Sequence, residues 1–183
     1  TLVISIHVFS QFENSKSRFL NLDELWRHSL KTSALAKTIA KIEKAEQRLI
    51  DEASLAGMLH DSGKLILSTN LINEYSKAMK HASERKIPIW EAEQEIFGAS
   101  HAAVGAYLFG LWGLPDPILE TVAFHHSPRD SQTKTFSPLT AVYVADILEE
   151  EHNQSVRDDE KLAVKIDLDY LKQGVFELIN PEI

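Results

Sequence analysis

Apolar residues recur at helical spacing along almost the whole chain, and the polar residues between them supply starts and stops. Leu2, Ile6, Phe9 and Phe12 share one face of a first segment. Asn21, with Glu24 three residues on, has the form of an N-cap and capping box, and Leu25, Leu30, Leu35 and Ile39 carry that helix to about Lys44. The next helix is expected from Glu46 to Asp61, halted at Ser62-Gly63 because glycine readily leaves helical geometry. Another runs from Asn70 to Arg85. Pro88 then opens a helix as a first-turn residue, with a pattern reaching Trp112 and a break near Gly98.

The clearest punctuation is "GLPDP" (Gly113 to Pro117), where Gly and Pro end one helix, Asp116 caps the next and Pro117 takes its first position. That helix ends at "HHSP". Pro138 to Glu151 gives another, "EEEHNQSVRDDEK" reads as a solvated end and loop, and Leu168 to Ile179 forms a last amphipathic helix. Strand signals are weak, with no Asn-Gly or Asp-Gly turn. The expectation is an all-α, single-domain helical bundle of about seven to nine helices.

Composition narrows the function. With 183 residues, 44% hydrophobic and 25% charged, the chain is long enough for one full core. A net charge of -8 works against a nucleic-acid polymer as partner, because that affinity rests on Lys and Arg neutralising phosphates. The absence of cysteine excludes disulfides, thiolate catalysis and Cys-type zinc sites, and fits a cytoplasmic location. No apolar run approaches the roughly 18 residues a membrane span needs, so no membrane partner is expected. The chain begins at Thr1 rather than Met, which suggests a piece of a longer protein whose preceding domain is missing.

Candidate chemistry lies in histidine and aspartate. His28, His60, His101, His125 and His126 fall where helices should converge, together with Asp61 and Asp146. Imidazole and carboxylate together suit Fe, Mn or Zn, or Mg with more oxygen ligands. Two carboxylates among several histidines have the makings of a site for one or two divalent ions that activate water and steady a phosphate ester. Adjacent residues point about 100° apart on a helix, so His60 and Asp61 can serve one ion only where the backbone relaxes, a requirement that Gly63 fits.

Simpler roles stand beside these. A lone histidine on a half-apolar helix is more often a hydrogen-bonded core residue than a ligand. Asp146, between apolar neighbours, needs a partner with or without metal. Lys64 could merely complement a helix C-terminus. Glu24, four residues before His28, could be a further ligand, although the cap is the better role. His7, His81 and His152 read as surface residues.

The order His28, then His60-Asp61, then Asp146 resembles the HD superfamily of metal-dependent phosphohydrolases, an all-α fold. Within it "LWRHSL", "AGMLHDSGKLIL", "GASHAAVGAYLFGLWGLPDPILETVAFHHSP" and "AVYVADIL" resemble the HDOD family, the HD-related output domain, over roughly Leu20 to Glu150. The resemblance implies an HDOD-like domain over 20–183 and a connecting helix over 1–19 from an upstream receiver or sensor domain in a bacterial signalling protein. It implies His28, His60, Asp61 and Asp146 at a first metal and His101, His125 and His126 at a second, with Asp61 and Lys64 in the catalytic role and Lys64 on a phosphate. HDOD relatives are generally regulatory, acting through protein contacts, so the first expectation is a regulatory output domain with a protein partner. The alternative is a metal-dependent phosphohydrolase acting on a nucleotide or other phosphate ester, and a third reading is a module that binds a nucleotide without turnover. Related HD-GYP enzymes carry a Gly-Tyr-Pro signature after their paired histidines. Here "SPRDSQTKTFSP" stands in that place, which argues against cyclic-di-GMP hydrolysis.

Overall fold

The computed structural model of the chain describes residues 20–156 and 167–171. Eight longer helices follow in order: α1 (Leu22–Ile42), α2 (Gln47–Leu59), α3 (Ser62–Asn70), α4 (Ile72–Arg85), α5 (Ile89–Phe97), α6 (His101–Leu111), α7 (Asp116–Phe124) and α8 (Pro138–Val156). A 3₁₀ turn at Pro128–Asp130 and a short α9 (Leu168–Leu171) complete the set, with no strand among the described residues. The all-α expectation holds. No described helix is long and apolar enough to cross a membrane. The segment 1–19, the tail beyond Leu171, His7 and the side chain of His152 lie outside the described residues.

The helices pack closely because their contact faces are small. α1 lies against α2 and α8, and α2 also meets α8 and α7. Ala36 and Ala40 of α1, Ala53 and Ala56 of α2, and Ala141 and Ala145 of α8 are fully buried in one core with Leu59, Leu65, Phe109 and Val122. At the α1–α2 crossing, a Cβ on Gly57 would stand 3.0 Å from the Ser33 Cα, so backbone touches backbone there. Alanine and glycine faces allow the shorter axial separations of helix packing, about 8 Å. The side chains of neighbouring helices can then meet in the space between them.

Local signals account for several boundaries. The Asn21 side chain accepts from the N–H groups of Asp23 and Glu24 at 3.1 and 3.3 Å, capping α1. Ser100 does the same for α6 through Ala103 N–H. The break at Gly98 is a left-handed cap (φ 77°), and Gly113 (φ 72°) ends α6 in the same way. At "GLPDP" the register is one residue earlier than expected: Pro115 takes the cap position and Asp116 is already helical.

The larger correction lies around Gly63. α2 ends at Leu59 and α3 starts at Ser62, so Gly63 sits inside the first turn of a helix and does not terminate one. The segment Ser62–Asn70, to which no element is assigned above before Asn70, is helical, and Leu71 separates it from α4. Gly63 is required by a neighbour. A Cβ there would lie 1.9 Å from the carbonyl oxygen of His101. Glu149 is also misread as solvated, since it is buried at 3% exposure, and α8 continues to Val156; residues 157–161 of that stretch lie outside the described residues.

Candidate metal centre

The junction between α2 and α3 builds the middle of the site. His60 occupies the C-cap of α2, and Asp61, at φ -95° and ψ 2°, occupies the N-cap of α3. That bridge-region backbone lets the adjacent side chains turn inward together, with His60 Nε2 and Asp61 Oδ2 3.6 Å apart. A second adjacent pair, His125 and His126, follows the end of α7 in the same way. α1 contributes His28, the first turn of α6 contributes His101, and α8 contributes Asp146. All seven residues singled out in the sequence come to one place.

They divide into two groups that share Asp61. The donor atoms of His28, His60 and Asp61 lie within 4.8 Å of one another, and so do those of Asp61, His101, His125 and His126. On the first side, Asp61 Oδ2 is 3.6 Å from His28 Nε2, and Asp146 Oδ1 stands 3.0 Å from His28 Nε2 and 3.5 Å from His60 Nε2. On the second side, Asp61 Oδ1 is 3.2 Å from His101 Nε2 and 3.7 Å from His125 Nε2, while His126 Nε2 is 3.0 Å from His101 Nε2. The two oxygens of one carboxylate thus face two different sets of imidazoles.

The outer edges of the rings are held. His28 Nδ1 meets Glu149 Oε2 at 2.6 Å and His101 Nδ1 meets Glu93 Oε2 at 2.6 Å. His60 Nδ1 donates to the Gly57 carbonyl at 2.8 Å and His125 Nδ1 to the Val122 carbonyl at 2.9 Å. Each ring therefore presents Nε2 to the middle. The arrangement fits a cation on a direct test: Asp61 Oδ1, Asp146 Oδ1 and His125 Nε2 are buried with no hydrogen-bond partner. His125 Nε2 stands 3.7 Å from Asp61 Oδ1, and Asp146 Oδ1 stands 3.0 Å from His28 Nε2, so these atoms converge on the middle without a hydrogen bond that satisfies them. Buried polar atoms left in that condition are strongly unfavourable, and a divalent ion is the group that would satisfy them together.

The electrostatics agree. Burial alone would raise the Asp61 carboxyl, but the Lys64 ammonium and the facing His60, His101 and His125 hold it well below the usual range. Asp146 is held low in the same way by His28 and His60, against burial. Burial lowers His28, yet Asp146 and Asp61 outweigh it and lift the ring to about 9. Burial takes His125 down to about 4, and burial with the neighbouring His125 and His101 takes His126 well below its ordinary value. Glu150, half-buried one turn beyond Asp146, is raised to about 7 by burial and by Asp146.

Lys64 donates to Asp61 Oδ2 at 2.6 Å and keeps 18% of its side chain exposed. It lies in the N-terminal turn of α3, where a cation opposes the helix dipole, so the reading of a C-terminal complement is replaced by the ion pair with Asp61. Glu24 is exposed and stands in neither donor group. His81 is partly exposed and meets Glu95 at 2.5 Å, away from the site. Sequence reasoning missed Glu93 and Glu149. For Glu149 a signal existed, since it follows Asp146 by three residues and shares its helix face.

The HDOD domain family matches residues 1–128. The chain belongs to the HDOD domain family. An "Uncharacterized protein" of Treponema pallidum (strain Nichols) is 30% identical to this HDOD domain over 104 residues, which is 57% of this chain and 20% of that protein. Among solved structures, an HDOD domain protein with unknown function from Geobacter sulfurreducens superposes with a TM-score of 0.71 at 26% identity, covering 90% of this chain and 54% of that one. The "Putative phosphohydrolase" of Shewanella amazonensis SB2B gives the same TM-score at 19% identity over 84% of this chain and 54% of its own, a likeness of fold alone. The HDOD domain here spans about half the length of these solved relatives and a fifth of the curated one.

Proposed function

We propose that this HDOD domain is a metal-dependent phosphohydrolase whose two-ion centre acts on a nucleotide or other phosphate ester. One observation carries the reading: Asp61 turns one oxygen to His28 and His60 and the other to His101 and His125, with buried atoms on both sides left without hydrogen bonds. His28, His60, Asp61 and Asp146 would hold one ion, and Asp61, His101, His125 and His126 the other. Such a pair supplies Lewis acidity toward phosphoryl oxygen and a water of lowered pKa. Lys64, fixed by Asp61 and partly exposed, offers a phosphate group a positive charge. The absence of Gly-Tyr-Pro after His126 weighs against cyclic-di-GMP as the ester.

The test is metal content by mass spectrometry, followed by hydrolysis of bis-p-nitrophenyl phosphate and nucleotides after anaerobic loading with Mn or Fe. One or two ions per chain are expected, with turnover. Asp61→Ala should lose the metal and at least about a hundredfold of the rate, since substitutions one layer further out already cost 10- to 100-fold. Persistent inactivity of a fully loaded protein would sink the catalytic reading.

A second reading, an output domain acting through protein contacts in a longer signalling protein, is favoured by α6. His101–Leu111 contains no charged Asp, Glu, Lys or Arg, and Tyr107, Leu111 and the following Trp112 are 71%, 68% and 48% exposed. A helix apolar on every side ordinarily has neighbours on every side. In this reading the neighbour is a receiver domain of the same chain. NMR titration with a separately expressed receiver should perturb α6 in one phosphorylation state. A receiver that leaves α6 unperturbed in both states counts against it.

A further inference from the structure

Each half of the centre holds its histidines in two different ways. His60 and His125, both at helix C-caps, donate to the carbonyl three residues back in their own helix. His28 and His101 are instead held by buried carboxylates from other helices, Glu149 of α8 and Glu93 of α5. We propose that Glu149 and Glu93 are positioning residues, one for each half of the centre, which lock His28 and His101 with Nδ1 protonated outward and Nε2 turned to the ion. The ions belong to the function proposed above; the tethers themselves are bonds of the chain.

The chemistry follows from what a carboxylate can do. Ionised, it accepts and never donates, so a ring nitrogen 2.6 Å from it must carry the proton. The remaining nitrogen, Nε2, is then the one that can give a lone pair to a metal. Lys31 donates to the other oxygen of Glu149 at 3.1 Å, which fixes the carboxylate plane. Glu93 Oε2 accepts from the His101 backbone N–H at 2.7 Å as well as from its ring, so one carboxylate sets both the start of α6 and the orientation of its first side chain. Glu93 is fully buried and its Oε1 has no hydrogen-bond partner. A carboxylate in that position is strongly unfavourable without a counter-charge, and the His101 ring connects it to the place where a cation would stand.

Glu149→Gln and Glu93→Gln keep the shape and remove the charge. Stepwise titration of each full chain with Mn²⁺, followed by calorimetry and electron paramagnetic resonance, should show one of the two ions weakened about 10- to 100-fold, and a different ion in each variant. In the metal-free protein, a strongly deshielded Nδ1 proton of His28 should move upfield in Glu149→Gln while that of His101 stays, and the reverse in Glu93→Gln. Unchanged affinities together with unchanged proton shifts would overturn the proposal. A wild-type protein that binds no ion would remove the two-ion function, and the proton shifts of the metal-free variants would still decide the tethers. If Glu93→Gln does not fold, Glu149→Gln with the milder Lys31→Met carries the test alone.

Discussion

Asp61 and His28 face each other in the middle of the site, and the proton that His28 holds decides how metal enters. Without metal, His28 keeps its proton up to about pH 9, because Asp146 and Asp61 outweigh the burial that disfavours it. A raised histidine of this kind stabilises the metal-free fold fully below its ordinary value of about 6.5, and that contribution is lost as pH rises through about 9. An ion entering the first group must displace that proton. His125, lowered to about 4, is already neutral at pH 7 and presents no such barrier. The first ion site should therefore gain roughly tenfold in apparent affinity for each unit that pH rises towards about 9, and release a proton that calorimetry detects in buffers of different ionisation enthalpy. Affinity independent of pH between 6 and 8 would contradict this. At this scale the sequence was informative about the inward-facing residues and silent on Glu93. Glu93 is one of three glutamates in "EAEQEIF", and the contact that singles it out is the one His101 makes from the next helix.

The crossing of α3 and α6 brings His101 within reach of Asp61, and two glycines make it possible. A Cβ on Gly63 would meet backbone, 1.9 Å from the His101 carbonyl oxygen, whereas one on Gly105 would meet the Val122 Cγ1 at 3.2 Å. Backbone cannot yield as a side chain can. Gly63→Ala should thus destabilise by about 1–3 kcal/mol or more and lose the His101 group of donors, while Gly105→Ala should cost less and keep both. Chemical unfolding and metal stoichiometry, read together on the two variants, check the ordering; equal effects would contradict it. The same crossing explains why helix boundaries were legible in some places and hidden here. Asn21, Gly98 and Gly113 act on their own segments, so their signals are local. Ser62-Gly63 looks like a stop by the same local logic, yet its glycine answers to a residue thirty-eight positions later, which spacing alone does not reveal.

Across the described residues, the donors come from α1, the α2–α3 junction, α6, the end of α7, and α8, so an ion would add a further link between helices already joined by their apolar core and by bonds such as those of His28 and Lys31 to Glu149. Binding to the folded chain alone must then stabilise it. At a free metal concentration 100 times the dissociation constant, the gain is about 2.7 kcal/mol per site. For a chain of this size, each kcal/mol moves the melting temperature by about 2–4 °C, so one saturated site should raise it by roughly 5–11 °C. Chelation should reverse the rise, and Asp61→Ala, which removes the residue common to both groups, should abolish it. His126→Ala should keep the part due to the first group, because His126 touches only the second. A melting temperature that Mn, Fe and Zn all leave unchanged would mean that the seven residues hold the bundle through their own ion pairs. In that case Asp61→Ala itself should destabilise the metal-free protein, since it would leave Lys64 without the carboxylate it pairs with and His101 with Glu93 as its one facing carboxylate. The two variants and the chelator together separate a metal centre from a buried polar network.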